Sequence, residues 1–208
     1  AGEHMHISEG VLSAPVLVSG AVLTVAGVAM GLKRVNHERL PQVAIFSAVF
    51  FTASLIHVPI GPAAAHLILN GLCGILLGWM AFPAILVGLV FQALLFQFGG
   101  LTTLGVNTFN MAFPAVALAF VLARAVRSSR AAVRTVAEFA CGAGSVFLSG
   151  VLVAVSLLAT GEAFSAVAGV ILVSHLPVMV VEGLLTVFIV EFVQRIRPEM
   201  LQIGSSQR

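Results

Sequence analysis

The chain has 208 residues, 60% of them hydrophobic and 9% charged, with a formal net charge of +2 and no tyrosine. Soluble domains carry about 25% charged residues; a mean hydropathy of +1.12 is more apolar surface than a soluble domain of this size can hide, so the composition excludes a water-soluble protein. The small positive charge says nothing about nucleic acid, because the basic residues sit in short segments between apolar runs.

Those segments divide the chain. Residues 1–4, AGEH, read as the remnant of an expression tag, to be set aside from functional reasoning. The first apolar run, 11–32, is long enough to span a bilayer, and no small-x-small cleavage pattern follows it. KRVNHER (33–39) ends it. The second span is predicted over 41–56, closed by HVPIGP (57–62). The third covers 63–80, the fourth starts at Pro83 and ends near Phe98, and the Gly-rich FGGLTTLG (98–105) follows. The fifth covers 106–123 and RAVRSSRAAVR (124–134) is the second basic loop. The sixth covers 135–159. The seventh covers 163–193 and ends in QRIRPE, with a kink or break expected near His175–Pro177.

By the ~20-residue rule this is an all-α integral membrane protein of about seven transmembrane helices. The basic segments follow spans one, five and seven, so they share one side. The positive-inside rule makes that side cytoplasmic, with the N-terminus outside and the C-terminus inside. The domain reading is one transmembrane domain over 5–197 and a cytoplasmic tail over 198–208. Gly27 and Gly31, and Gly74 and Gly78, recur four apart, which lets helices approach closely in lipid. On the first helix that contact is either within the bundle or with a partner membrane protein. Cys73 and Cys141 lie in apolar runs and read as small buried packing residues.

Polar side chains at membrane depth are costly and usually face a cavity or one another. The candidates include His57, His66, Asn70, Asn107, Asn110, His175 and Glu182. His66 and Asn70, four apart, are expected on one helix face. The GPAAA break before His66 puts that histidine at the outer mouth of the bundle, where it meets the N-terminal segment. Glu182 reads as the one carboxylate deep in a span.

The opening AGEHMHISEG holds His4, His6, Glu3, Glu9 and Met5. Imidazole and amine nitrogens suit divalent nickel, copper and cobalt. In a chain starting at Met5, the terminal amine, the amide nitrogen of His6 and the His6 imidazole reach one ion, and His66 is the natural fourth donor. In a chain starting at Ala1, His4 and His6 make a looser site. The bland alternative is a disordered, solvated end. Ile7, Val11 and Leu12 argue against it, because they can anchor the segment in the bundle.

MHISEGVLS (5–13) resembles the N-terminal signature of the CbiM/NikM family, the substrate-binding (S) components of energy-coupling factor transporters for cobalt and nickel. HVPIGPAAAHLILNGLCGILLG (57–78), FQFGGLTTLGVNTFNMAFPA (96–115) and HLPVMVVEG (175–183) resemble three further family stretches. The middle segments look closer to the cobalt type. The resemblance implies an S-component bundle with one helix added at the N-terminus. It implies a metal held by Met5, His6 and His66, with His57 and Asn107 behind them; Asn70, Asn110, His175 and Glu182 are left as structural or gating positions. It implies Co2+ or Ni2+ as transported substrate, a CbiQ-like coupling subunit, a CbiO-like ATPase, a CbiN-like auxiliary subunit, a multi-pass place in the bacterial inner membrane and a role feeding cobalamin synthesis. The chain has no G-x-x-x-x-G-K-[ST] and binds no ATP by that route. Four planar nitrogens would favour nickel on coordination grounds, so the cobalt preference rests on the resemblance. Two other readings stand beside it: an intramembrane metalloenzyme using His57, His66, His175 and Glu182, without an HExxH motif, and a structural subunit with no ligand.

Overall fold

A computed structural model describes residues 6–60, 63–161, 169, 173 and 175–201, with the backbone alone for 57–60 and 63–65. The chain is almost entirely helical. Helix α1 spans Ala14–Leu32 and α2 spans Leu40–Ala53. A short antiparallel hairpin follows, β1 His57–Ile60 against β2 Ala63–His66. Then come α3 Asn70–Leu77, a 3-10 turn Gly78–Met80 and α4 Ala81–Phe96. The rest is α5 Leu104–Val121, the short α6 Ala123–Val126, α7 Ala131–Thr160, α8 Leu176–Ile196 and a closing 3-10 turn Pro198–Leu201.

Among the described residues, five helical stretches are long and apolar enough to cross a bilayer: α1, Asn70–Phe96, α5, α7 and α8, with α2 a shorter apolar helix. The Asn70–Phe96 stretch is not one rod. Gly78 turns to φ +55, a conformation glycine adopts without a Cβ clash, and the chain reverses there. Residues of α3 follow α5 in parallel. Asn70 bonds the carbonyl of Met111 at 3.0 Å, and a Cβ on Gly74 would run into Ala115. α4 starts beside the far end of α1, where a Cβ on Gly31 would lie 2.6 Å from Pro83 Cδ.

The basic segments gather at one end. Arg34, Arg39, Arg124 and Arg127 line one cleft, Arg127 and Gln194 line another, and Arg134 pairs with Glu191 at 2.9 Å. At the opposite end the amide of Ser13, just before α1, donates to Thr160 Oγ1 at the close of α7 at 3.3 Å. The core lies between, where α3 is buried along its whole length. Small residues set the close approaches: a Cβ on Gly27 would enter the Phe82 ring, and one on Gly71 would lie 2.7 Å from Gly142 Cα. The first-helix glycines therefore pack within the bundle. Cys73 and Cys141 are buried and unbridged.

One expectation is corrected. The third helix does not start at Ala63: Ala63–His66 is a strand, and helix begins at Asn70, so His66 and Asn70 do not share a helix face. Pro59 has no N–H for a helical ladder and biases Val58 towards extended backbone. Leu69, at φ +54, breaks the approach to α3. The break expected near His175–Pro177 is present: a turn at His175 precedes α8, which starts at Leu176 with Pro177 in its first turn, where the missing N–H costs nothing. Most of 162–174 lies outside the described residues.

Candidate metal centre

His6 and His66 meet at the end of the bundle away from the basic loops. Both are 4% exposed. Their rings stack with centroids 5.0 Å apart and planes 11° from parallel. Phe98 lies behind His66, centroids 6.4 Å apart at 3°. His66 Nδ1 is 3.0 Å from the carbonyl oxygen of Leu67.

The N-terminal segment is stitched to the Gly-rich turn and the head of α5. The Ile7 amide donates to Asn107 Oδ1 at 3.0 Å, and Asn107 Nδ2 donates back to the Ile7 carbonyl at 3.0 Å. Thr103 Oγ1 donates to that same carbonyl at 2.8 Å. Glu9 Oε1 accepts from the amides of Leu101 at 2.7 Å and Thr102 at 3.2 Å, just ahead of the positive end of α5, where a carboxylate is favoured. Gly99, at φ +76, lets the turn come this close: a Cβ there would lie 3.0 Å from Asn107 Nδ2 and 3.3 Å from His6 Cβ. Ile7 and Leu12 are buried in the core.

His66 is set from the other side. Its strand pairs it with His57, whose backbone alone is described. Beyond it, Ile68 and Leu69 donate their amides to the fully buried carboxylate of Glu182 on α8, the Leu69 amide at 3.0 Å to Oε1 and 2.9 Å to Oε2. The Leu69 amide, at the N-cap of α3, is one of the N–H groups that a helix start leaves without an intrahelical partner, and Ile68 lies just before it. Glu182 thus acts as the cap that Leu69 cannot be.

The remaining candidates divide. Asn70 ties α3 to α5 and α7, through the Met111 carbonyl and Ser149 Oγ at 3.0 Å each. Asn110 reaches Ser156 Oγ on α7 at 3.3 Å. His175 is buried immediately before α8. Met5 lies outside the described residues. Among the described residues, no three His, Cys, Asp or Glu side chains gather as a metal-holding group.

Sequence reasoning missed Thr103, Phe98 and Glu138. Thr103 looks like an ordinary loop residue until the N-terminal segment is laid on it, and Glu9, counted among the metal-capable side chains of the opening stretch, instead accepts from the Leu101 and Thr102 amides. Glu138 on α7 is fully buried beside Arg134, so Glu182 is not the only carboxylate deep in a helix. Its spacing four after Arg134 was the available signal.

Residues 6–200 match the family described as "CbiM: Cobalt uptake substrate-specific transmembrane region". A Haemophilus influenzae protein named for metal transport is 42% identical over 95% of this chain and 97% of its own length. A fused protein of Archaeoglobus fulgidus named for nickel transport, NikMN, is 29% identical over 95% of this chain and 68% of its own. A fused protein of Methanocorpusculum labreanum named for cobalt transport, CbiMQ, is 30% identical over 94% of this chain and 36% of its own. The fold is similar to the crystal structure of a truncated transition metal transporter, with TM-score 0.70 and 24% identity over 91% of this chain and 98% of that one. The chain is a multi-pass membrane protein and belongs to the CbiM family, the substrate-specific transmembrane components of cobalt and nickel transport.

Proposed function

We propose that the chain is the metal-capturing S component of an energy-coupling factor importer for divalent cobalt in the bacterial inner membrane, supplying cobalamin synthesis. The metal is held by the amine of Met5 in a chain that begins there, the amide nitrogen and imidazole of His6, and the imidazole of His66. The observation that carries this reading is the buried His6–His66 stack. The two imidazoles lie together in one buried place, ring centroids 5.0 Å apart, beside the N-terminal segment that carries the amine and the His6 amide. Asn107, Thr103 and Gly99 fix the Ile7 backbone next door and so fix His6. Glu182 fixes the turn after His66.

The direction of travel supports seven crossings with the N-terminus outside. Helices α1, α3, α5 and α8 run from the histidine end to the basic end, and α2, α4 and α7 run back. The positive-inside rule makes the basic end cytoplasmic. Capture then occurs outside, about 20 Å along α5 from the basic end at 1.5 Å per residue. The names of the fused relatives support a CbiQ-type coupling subunit and an auxiliary subunit of the CbiN or NikN kind; a CbiO-type ATPase supplies the energy. The name of the Archaeoglobus relative supports nickel as the second reading.

The test is uptake of labelled Co2+ and Ni2+ by membrane vesicles holding this chain with its coupling and ATPase subunits. Uptake that requires ATP and prefers cobalt, and that is lost in His66→Ala while the assembly stays intact, is the expected result. Undiminished uptake in His66→Ala would overturn the site, and a preference for nickel would overturn the cobalt assignment.

A further inference from the structure

A second site lies at the opposite end of the bundle. A cleft of about 590 Å³ opens there between the two basic loops. Its walls carry Arg34 and Arg39 from the segment after α1, and Arg124 and Arg127 from the segment after α5. Among the described residues no carboxylate lines it. Arg34 is held in place by its own contacts: Nη1 donates to the Met30 carbonyl at 3.0 Å, and the guanidinium carbon sits 5.7 Å from the centre of the Trp79 ring. That leaves further N–H donors of its five-donor fork for a ligand.

Arg34, Arg124 and Arg127 gathered along one cleft with no carboxylate among its described lining residues repel one another unless an anion joins them. Arginine matches phosphate oxygens with paired N–H donors. The rim gives the rest of the ligand. Phe120 is 79% exposed and Val121 72% exposed, and in a membrane chain such faces meet acyl chains. Trp79, on the wall, is the residue type that marks the headgroup level. An anionic head beside an apolar, membrane-facing rim describes a phospholipid better than an acidic protein segment, which would need no such rim. Basic pockets between membrane helices at the cytoplasmic side are a recognised headgroup-binding feature.

We propose that this cleft binds the phosphate headgroup of an anionic phospholipid, with Arg34 and Arg124 as the principal contacts from the two loops. The lipid bridges segments about 90 positions apart in sequence and so ties the ends of α1 and α5 to the turn at Gly78–Met80.

The test is native mass spectrometry of the detergent-purified chain titrated with phosphatidylglycerol or with phosphatidylcholine. Phosphatidylglycerol is retained in preference, and millimolar inorganic phosphate does not displace it. Arg34→Gln/Arg124→Gln weakens that retention about 25-fold, at about fivefold per near-surface arginine. Arg130→Gln/Arg195→Gln, which removes two basic charges outside the cleft, leaves it unchanged. Unaltered binding of Co2+ by the cleft variant shows that it is folded; if the double variant does not fold, Arg124→Gln alone gives about a fivefold loss. Equal losses in the two double variants would overturn the site. Displacement by inorganic phosphate, equal retention of phosphatidylcholine, or retention of an acidic coupling-subunit segment in place of lipid would each overturn the lipid assignment.

Discussion

The carboxylate of Glu182 on α8 accepts the main-chain N–H of Leu69, a residue 113 positions earlier and held at φ +54. A left-handed leucine is strained by about 1–2 kcal/mol, and it persists here because the buried carboxylate takes its amide and that of Ile68. Three residues before Leu69 stands His66. Glu182→Ala leaves two buried amides without an acceptor, at about 1–3 kcal/mol each. The expected outcome is a lower melting temperature together with weakened binding of Co2+. Glu182→Gln keeps one side-chain acceptor and loses less of both. Melting curves and equilibrium metal titration of the two variants check this; an Ala variant with lowered stability and unchanged metal affinity would show that the turn does not set His66.

Asn107 serves Ile7 twice, as acceptor of its amide and donor to its carbonyl. Asn107→Asp keeps the first contact and loses the second; Asn107→Ala loses both. Partners that orient a metal ligand typically contribute 10- to 100-fold in affinity. The order of cobalt affinity is therefore expected to be wild type, then Asp, then Ala, with the Ala variant about 10- to 100-fold weaker. Isothermal titration reads this directly.

Gly99 and Gly10 separate backbone strain from crowding. Both have positive φ, +76 and +77, but a Cβ on Gly10 meets nothing within 4 Å while one on Gly99 presses on Asn107 and His6. Each alanine substitution strains the backbone by about 1 kcal/mol. Only Gly99→Ala is expected to weaken metal binding, as measured by the same titration.

The first-helix glycines are explained by internal packing, since Gly27 faces Phe82 and Gly31 faces Pro83 and Trp79. Gly27→Leu is expected to lower the melting temperature of the isolated chain, at about 1–3 kcal/mol for overpacking. If the glycine served only a partner subunit, the isolated chain would melt unchanged and only the assembled complex would loosen.

The helices were legible because apolar runs and basic breaks are local. Pro41 and Pro177 sit in first turns, as their missing N–H requires, and the basic loops do share one end. The stretch from Ala63 to Leu69 was misread as the start of a helix. Its residues are apolar, but it pairs as a strand with His57–Ile60, Leu69 turns left-handed, and the capping of α3 comes from a carboxylate that no local pattern reveals. The pairing of His6 with His66 leaves no periodic signal across the residues between them; it was reached from the GPAAA break before His66 and the need for a further nitrogen donor, and the family resemblance implies the same pair. The stitching by Thr103, Glu9 and Gly99 needs the N-terminal segment to be folded back, which spacing alone does not encode.

The central claim is that the metal is held by the chain's own start together with His66. The most direct measurement is equilibrium binding of Co2+ and Ni2+ to two purified forms, one beginning at Met5 and one at Ala1. The expected result is tight binding by the Met5 form, abolished by His66→Ala, with little or none by the Ala1 form. Equal binding by both forms would contradict the amine ligand and leave the ion to internal histidines.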